Sequence, residues 1–307
     1  MARAATRGFP VGDWARASAD NPHMNERIFV ALQYVLPKQG MTRLAGFLAS
    51  RRWGRVTHWM IGNFVARYGV NMAEAAEPDI DRYPSFNEFF TRPLRPQARP
   101  LAQAAWVCPV DGAISQLGAI SGSEGEQIFQ AKSHSYSTTA LLGGDSAMAA
   151  QFAHGQFATI YLSPRDYHRI HMPRAGRLLR MVHVPGDLFS VNPATARGVP
   201  GLFARNERVV CLFECPEDGT PFAMILVGAT IVGSMATVWH GVVNPPRPGK
   251  VREWGYAGQD IVLAQGAEMG RFLLGSTVVL LVPKGHMAFN PVWAAGSAVR
   301  LGEAMSF

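Results

Sequence analysis

With 307 residues, 48% of them hydrophobic and 17% charged, the chain can bury a sizeable core as one large domain or two, and its composition is ordinary globular. The formal net charge of +7 falls on one segment: residues 1–70 hold ten Arg and Lys against Asp13, Asp20 and Glu26, and the remainder is balanced. A partner with a negative surface should meet that segment, whereas Cys108, Cys211 and Cys215 lack the spacing of a zinc site and read as reduced core residues of a cytosolic protein.

Met1 to Ala19 lacks the apolar stretch of a secretory signal. Helical spacing begins with Ile28, Leu32, Val35 and Leu36, closed by Pro37. It recurs in Met41, Leu44, Ala45 and Leu48, and again in Val56, Met60, Phe64 and Tyr68, with Trp53 and Trp59 nearby. These helices fit two roles: a small bundle docking on the core, or a membrane-surface anchor with Arg43, Arg51 and Arg52 at its flanks. Residues 71–100 read as a connector ending in the proline-rich run Arg92 to Pro100, which excludes regular helix.

Beyond the connector, short apolar runs alternate with Gly and Pro turns: Ala113–Leu117, Phe157–Leu162, Val209–Phe213, Phe222–Ile231 and Thr277–Val282. Gly219 to Pro246 carries no Asp, Glu, Lys or Arg and is long enough to span a membrane, but Gly228, Gly233 and Gly241 interrupt it. Two buried strands explain it better. The expected fold class is α+β: a basic amphipathic helical segment over 1–70, then a mostly antiparallel β domain over 71–307.

Three segments carry chemistry. In Tyr161 to Pro173, Ser163 can cap a short helix with Pro164 at its first position, which would set His168 and His171 on one side. His-x-x-His could hold a metal, yet no cluster completes a site; one imidazole as base and the other as acid fits better. Asp111-Gly112 before a strand reads as a hairpin turn, or as the acid that orients a histidine. Gly275-Ser276, between two apolar runs, reads as a bulge or tight turn, or as a place where a hydroxyl meets an unshielded glycine carbonyl.

Taken together, several motifs resemble the phosphatidylserine decarboxylase family in its bacterial short form. They are Leu274-Gly-Ser-Thr277 with Gly266-Ala-Glu-Met-Gly270 before it, Tyr161 to His171, Pro109-Val-Asp-Gly112, Ala131 to Ser137, Leu188 to Asn192, and Leu202 to Arg208. The likeness runs from about residue 25 to about 285; the tail after Lys284 looks less family-like.

The resemblance implies that Asp111, His171 and Ser276 form a self-processing triad that cuts between Gly275 and Ser276. Residues 1–275 and 276–307 would separate as two chains, and Ser276 would become a covalent pyruvoyl group, the only cofactor, with no metal. That group would form a Schiff base with the amine of phosphatidylserine and withdraw electrons as carbon dioxide leaves, with His168 as the acid that completes phosphatidylethanolamine. The resemblance further implies a peripheral enzyme on the cytoplasmic face of the inner membrane, meeting anionic lipid; a homodimer is expected and a nucleic-acid partner is not. Asn192 and Arg205, in recognised segments, are candidates for the phosphodiester. A serine hydrolase using Asp111, His171 and Ser276 without processing is the alternative.

Overall fold

The computed structural model describes residues 22–306, apart from 132, 231–233, 246, 248 and the pair 275–276; of residues 22–25 only the backbone is described. Three helices come first: α1 (Pro22–Val35), α2 (Lys38–Ser50) and α3 (Arg55–Tyr68). Each ends where the sequence forces it to. Pro37 separates α1 from α2, and Gly69, at φ 66°, takes the left-handed position that closes α3. A short α4 (Phe86–Phe90) follows, capped by the Ser85 hydroxyl on the Glu88 amide.

Among the described residues, fifteen strands make up the body. β1 (Gly112–Ala119), β2 (Gln127–Ala131), β3 (His134–Ser137), β4 (Gln156–Tyr161) and β5 (Arg169–His171) come first. β6 (Gly176–Val184), β7 (Arg208–Glu214), β8 (Pro221–Val227), β9 (Met235–Thr237) and β10 (Gly241–Asn244) follow. β11 (Arg252–Gly255), β12 (Val262–Leu263), β13 (Glu268–Phe272), β14 (Thr277–Val282) and β15 (Ala298–Val299) complete the chain. The main sheet runs β11-β6-β7-β8-β14-β4-β1-β15, with β12 also on β6; a smaller sheet runs β10-β9-β13-β5, and β2 pairs β3. Every named pair is antiparallel, as an α+β fold requires.

Both faces of the main sheet are covered, which explains why its central strands read as unbroken apolar runs. Val278, Leu280 and Val282 of β14 join one core with Phe222, Met224 and Leu226 of β8, while Val279 and Leu281 join a second with Ala223, Ile225 and Val227. The charge-free stretch that imitates a membrane span is therefore sheet: the long β8 and the short hairpin β9–β10, three strands where two were expected. Among the described residues, no helix is long and apolar enough to cross a membrane.

α1 and α2 are inverted relative to an ordinary amphipathic helix, whereas α3 also buries the apolar Ile61. Polar or small residues face the body: Gln33, Thr42, Ala49 and Thr57 are buried. The Gln33 carboxamide oxygen accepts from the Ser190 amide and the Thr230 hydroxyl. Apolar side chains face outward, with Val35 76% and Trp59 69% exposed; eleven of the eighteen large exposed apolar residues described lie between Ile28 and Tyr68. Apolar docking is confined mainly to α3, through Ile61, Phe64 and Val65.

Candidate active site

Asp111 stands at the entry to β1, where Gly112 lets the strand press against the Tyr161 carbonyl; any Cβ at 112 would collide with it. The Asp111 carboxylate is held on two sides. Arg99 Nε donates to Oδ1 at 2.9 Å and Arg99 Nη2 to Oδ2 at 2.5 Å, while the Leu301 amide donates to Oδ1 at 2.9 Å. Arg99 Nη2 also reaches Glu74 Oε2 at 2.6 Å. The bond from Arg99 holds the Glu74 carboxyl below its ordinary value, and the bond to Asp111 raises the guanidinium further above its own. Sequence reasoning missed Arg99 and Glu74, because the clamp joins the connector to β1 across 12 and 25 residues of chain. The C-terminal tail, which looks less family-like in sequence, supplies the Leu301 amide to the same carboxylate.

The two histidines do not share a helix. Asp166 folds its carboxylate back onto Ser163, accepting from the amide at 2.6 Å and the hydroxyl at 2.7 Å, so Ser163–Asp166 is a turn. The chain then enters β5 directly, and the expected short helix is absent. His171 lies on β5 in register with Glu268, its amide donating to the Pro109 carbonyl. Its Nδ1 faces the Gly266 carbonyl at 2.8 Å, so in the neutral ring Nδ1 carries the proton. Nε2 then accepts from the Tyr167 hydroxyl at 3.0 Å. Burial lowers the His171 pKa, only partly opposed by that backbone bond and by nearby Glu268 and Asp111. Asp111 and His171 are thus near neighbours, each hydrogen-bonded to other groups.

His168 is fully buried beside β5. Nδ1 lies 2.7 Å from the Asp166 carbonyl and so holds the proton; Nε2 is buried with no hydrogen-bond partner among the described residues. The ring packs 4.0 Å from the Phe90 ring. Burial drives its pKa down to about 3, so the resting imidazole is neutral and Nε2 is a bare lone pair. An acid role therefore requires that Nε2 be loaded with a proton first.

Gly275 and Ser276 lie outside the described residues, but both neighbours are placed. Leu274 packs against the cluster of Ile61, Phe89 and Phe90 that α3 and α4 build, and so borders the His168 surroundings. Thr277, fully buried, opens β14 in register with Tyr161 on β4 and Val227 on β8. Tyr161 in turn lines a cavity of about 480 Å³ together with Asp111, Arg99 and Tyr167. Leu274 thus lies near the surroundings of His168, and Thr277 pairs with the strand whose Tyr161 shares a cavity with Asp111. Asn192 and Arg205 have other work: Asn192 caps a short helix through the Thr195 amide, and Arg205 packs 4.9 Å over Phe189.

Known proteins resemble this chain along most of its length. The family model described as phosphatidylserine decarboxylase matches residues 86–306, and one described as PSD matches residues 28–69. The match runs through the C-terminal tail, so the likeness extends further than the motifs suggested. The chain is 69% identical to a phosphatidylserine decarboxylase proenzyme of Variovorax paradoxus over 92% of its length and 98% of that protein. It is 68% identical to the proenzyme of Methylibium petroleiphilum over 92% of its length and 99% of that protein. For the proenzyme of Chromobacterium violaceum the identity is 66%, over 92% of the chain and all of that protein. The chain belongs to the phosphatidylserine decarboxylase family.

Proposed function

We propose that this chain removes the carboxylate of phosphatidylserine as carbon dioxide, leaving phosphatidylethanolamine, and that it first makes its own catalytic group by cutting itself at Gly275–Ser276. The observation that carries the chemistry is His168: a buried, neutral imidazole with an unpartnered Nε2, close to the residues that flank Ser276. The relatives' designation as proenzymes supports a processing step.

In processing, His171 Nε2 takes the Ser276 hydroxyl proton, and the oxygen attacks the Gly275 carbonyl, exchanging the peptide amide for an ester. Loss of the Cα proton and cleavage of the Cβ–O bond free the Gly275 carboxylate and leave dehydroalanine; water then expels ammonia and leaves a ketone. Tyr167 occupies His171 Nε2 beforehand, so the serine displaces the phenol. Asp111, pinned by Arg99 and Leu301, keeps a negative charge near the imidazolium that forms.

The surroundings suit a pyruvoyl group at 276: Leu274 packs against apolar clusters, Thr277 is fully buried, and one imidazole nitrogen is left without a protein partner among the described residues. Once made, that group supplies an electron sink for an amine substrate losing carbon dioxide. His168 Nε2 first accepts a proton from the substrate's ammonium, then returns it to Cα after carbon dioxide has left. Acid–base help of this kind is worth about 10²–10⁴-fold.

The exposed apolar faces of α1–α3, with Trp53 and Trp59, support a peripheral position on an anionic bilayer; the family likeness suggests the cytoplasmic face. The deciding experiment is intact mass and turnover of Ser276→Ala. An uncut, inactive chain is expected; normal decarboxylation by the unbroken variant would refute the proposal, and a wild-type chain that stays whole yet hydrolyses esters would favour the hydrolase alternative.

A further inference from the structure

Leu273 and Leu274, the residues just before the cleavage pair, line a cavity of about 530 Å³ whose opposite wall is α2. That volume lies within the roughly 300–1,000 Å³ of small-molecule sites. Two cations line it, Arg43 from α2 and Arg247 from the loop after β10, and no acidic residue does among the described residues. Asn87 also lines it, with its Oδ1 buried and unpartnered among the described residues, an acceptor for an ammonium. Phe47, half exposed, lies at the cavity, and Leu44 on the same helix is 59% exposed. The cavity thus joins an apolar outer surface to the position of Ser276.

Arg247 does not sit there by chance of a loop. Its Nε donates to Glu207 Oε2 at 2.8 Å, and Glu207 Oε1 lies 2.9 Å from His183 Nε2. His183 and Glu207 are almost completely buried. Burial pushes the Glu207 carboxyl upward, but His183 and Arg247 outweigh it and hold the group below its ordinary value. A buried charged pair is poor value for stability alone. Fixing the plane of a guanidinium that borders a cavity gives it a purpose.

We infer that this cavity holds the phosphodiester of the phospholipid head group, bound by Arg247 and Arg43, with Glu207 and His183 as residues that position Arg247. This rests on the function proposed above and names the substrate-holding residues it left open. The chemistry selects the phosphate over the carboxylate as their ligand. A cation on the carboxylate would stabilise the charge that decarboxylation must remove, and so would oppose the reaction. The phosphodiester is unchanged from substrate to product, so its binding is uniform along the reaction. Removing it should raise KM and spare kcat.

The test uses the full processed enzyme and dihexanoyl phosphatidylserine below its micelle concentration, so that membrane attachment does not enter. Arg247→Gln and Arg43→Gln should each raise KM about ten- to hundredfold, the worth of one charge-assisted hydrogen bond, with kcat within about threefold. Chain cleavage, read by intact mass, should be unaffected. By calorimetry, dihexanoyl phosphatidylcholine, which keeps the phosphodiester but lacks a reactive amine, should bind both variants more weakly by a similar factor; dihexanoylglycerol should bind variant and wild type alike. Glu207→Gln should give a smaller KM rise that Arg247→Gln abolishes in the double variant.

KM and phosphatidylcholine affinity within about twofold of wild type in both arginine variants would overturn the inference while leaving the decarboxylase assignment intact. A kcat loss at constant KM would overturn it too, by placing the arginines in the chemistry. If Arg247→Gln failed to fold or cleave, Arg43→Gln and Arg247→Lys would decide. A wild-type chain that neither splits nor releases carbon dioxide would instead refute the proposed function.

Discussion

Acidification should expose the buried imidazole of His168. Its pKa in the folded chain is about 3, against an ordinary 6.5 once unfolding returns it to water. Between those values the unfolded chain binds a proton at this position and the native chain does not. Stability therefore rises with pH across that window and falls as pH drops below about 6.5. Each unit within the window is worth about 1.4 kcal/mol, so moving from pH 7 to pH 5 removes roughly 2 kcal/mol through this one group. His168→Asn does not titrate, yet its carboxamide can still donate to the Asp166 carbonyl as Nδ1 does. Urea unfolding at pH 7 and pH 5 should show the parent losing about 2 kcal/mol more than His168→Asn. Both chains should carry Ser276→Ala, so that unfolding is not complicated by two polypeptides; His171 is present in both and cancels. A difference under about 0.5 kcal/mol would mean that the native imidazole is solvated or charged, and the bare Nε2 on which the proposed proton transfers depend would be lost.

Arg99→Met should leave the Asp111 carboxylate buried without its cation, costing about 3–5 kcal/mol in the same unfolding assay, and should slow chain cleavage as followed by denaturing electrophoresis. Tyr167→Phe removes the hydroxyl that occupies His171 Nε2; cleavage should proceed at least as fast as in the parent, and a tenfold slower rate would give the phenol a role of its own. Trp53→Ser with Trp59→Ser should weaken sedimentation with anionic vesicles while leaving turnover of short-chain substrate within about twofold, since both rings are exposed and neither lines the cavities at Asp111 or Leu274.

The sheet was more legible in the sequence than the site. The run Thr277–Val282 is β14 itself, and Val209–Phe213 lies wholly within β7, because strands covered on both faces demand uninterrupted apolar residues. Helix existence was also readable, but not which face turned inward. Periodicity reports a stripe without saying what it meets, and here Gln33 and Thr57 face protein while Trp59 faces out. Ser163-Pro164 misled for a local reason: it suits a helix start, but the Asp166 side chain closes the turn and β13 captures the next residues as β5. Asp111, His168 and His171 were found through a family likeness, whereas Arg99, Glu74, Tyr167 and Leu301 were not. Their partners are set by the topology, and a clamp made across 190 residues, as from Leu301 to Asp111, leaves no spacing to detect.

β14 lies deep inside the main sheet, with β8 in register along one side and β4 along the other. A backbone break just before Thr277 would therefore release nothing. The shorter polypeptide would keep an interior rung of the ladder and, through β15, its far edge, so the severed ends would stay tethered by hydrogen bonds on three flanks. Under native conditions maturation should not change the hydrodynamic size appreciably, and a second band should emerge only in detergent or strong denaturant.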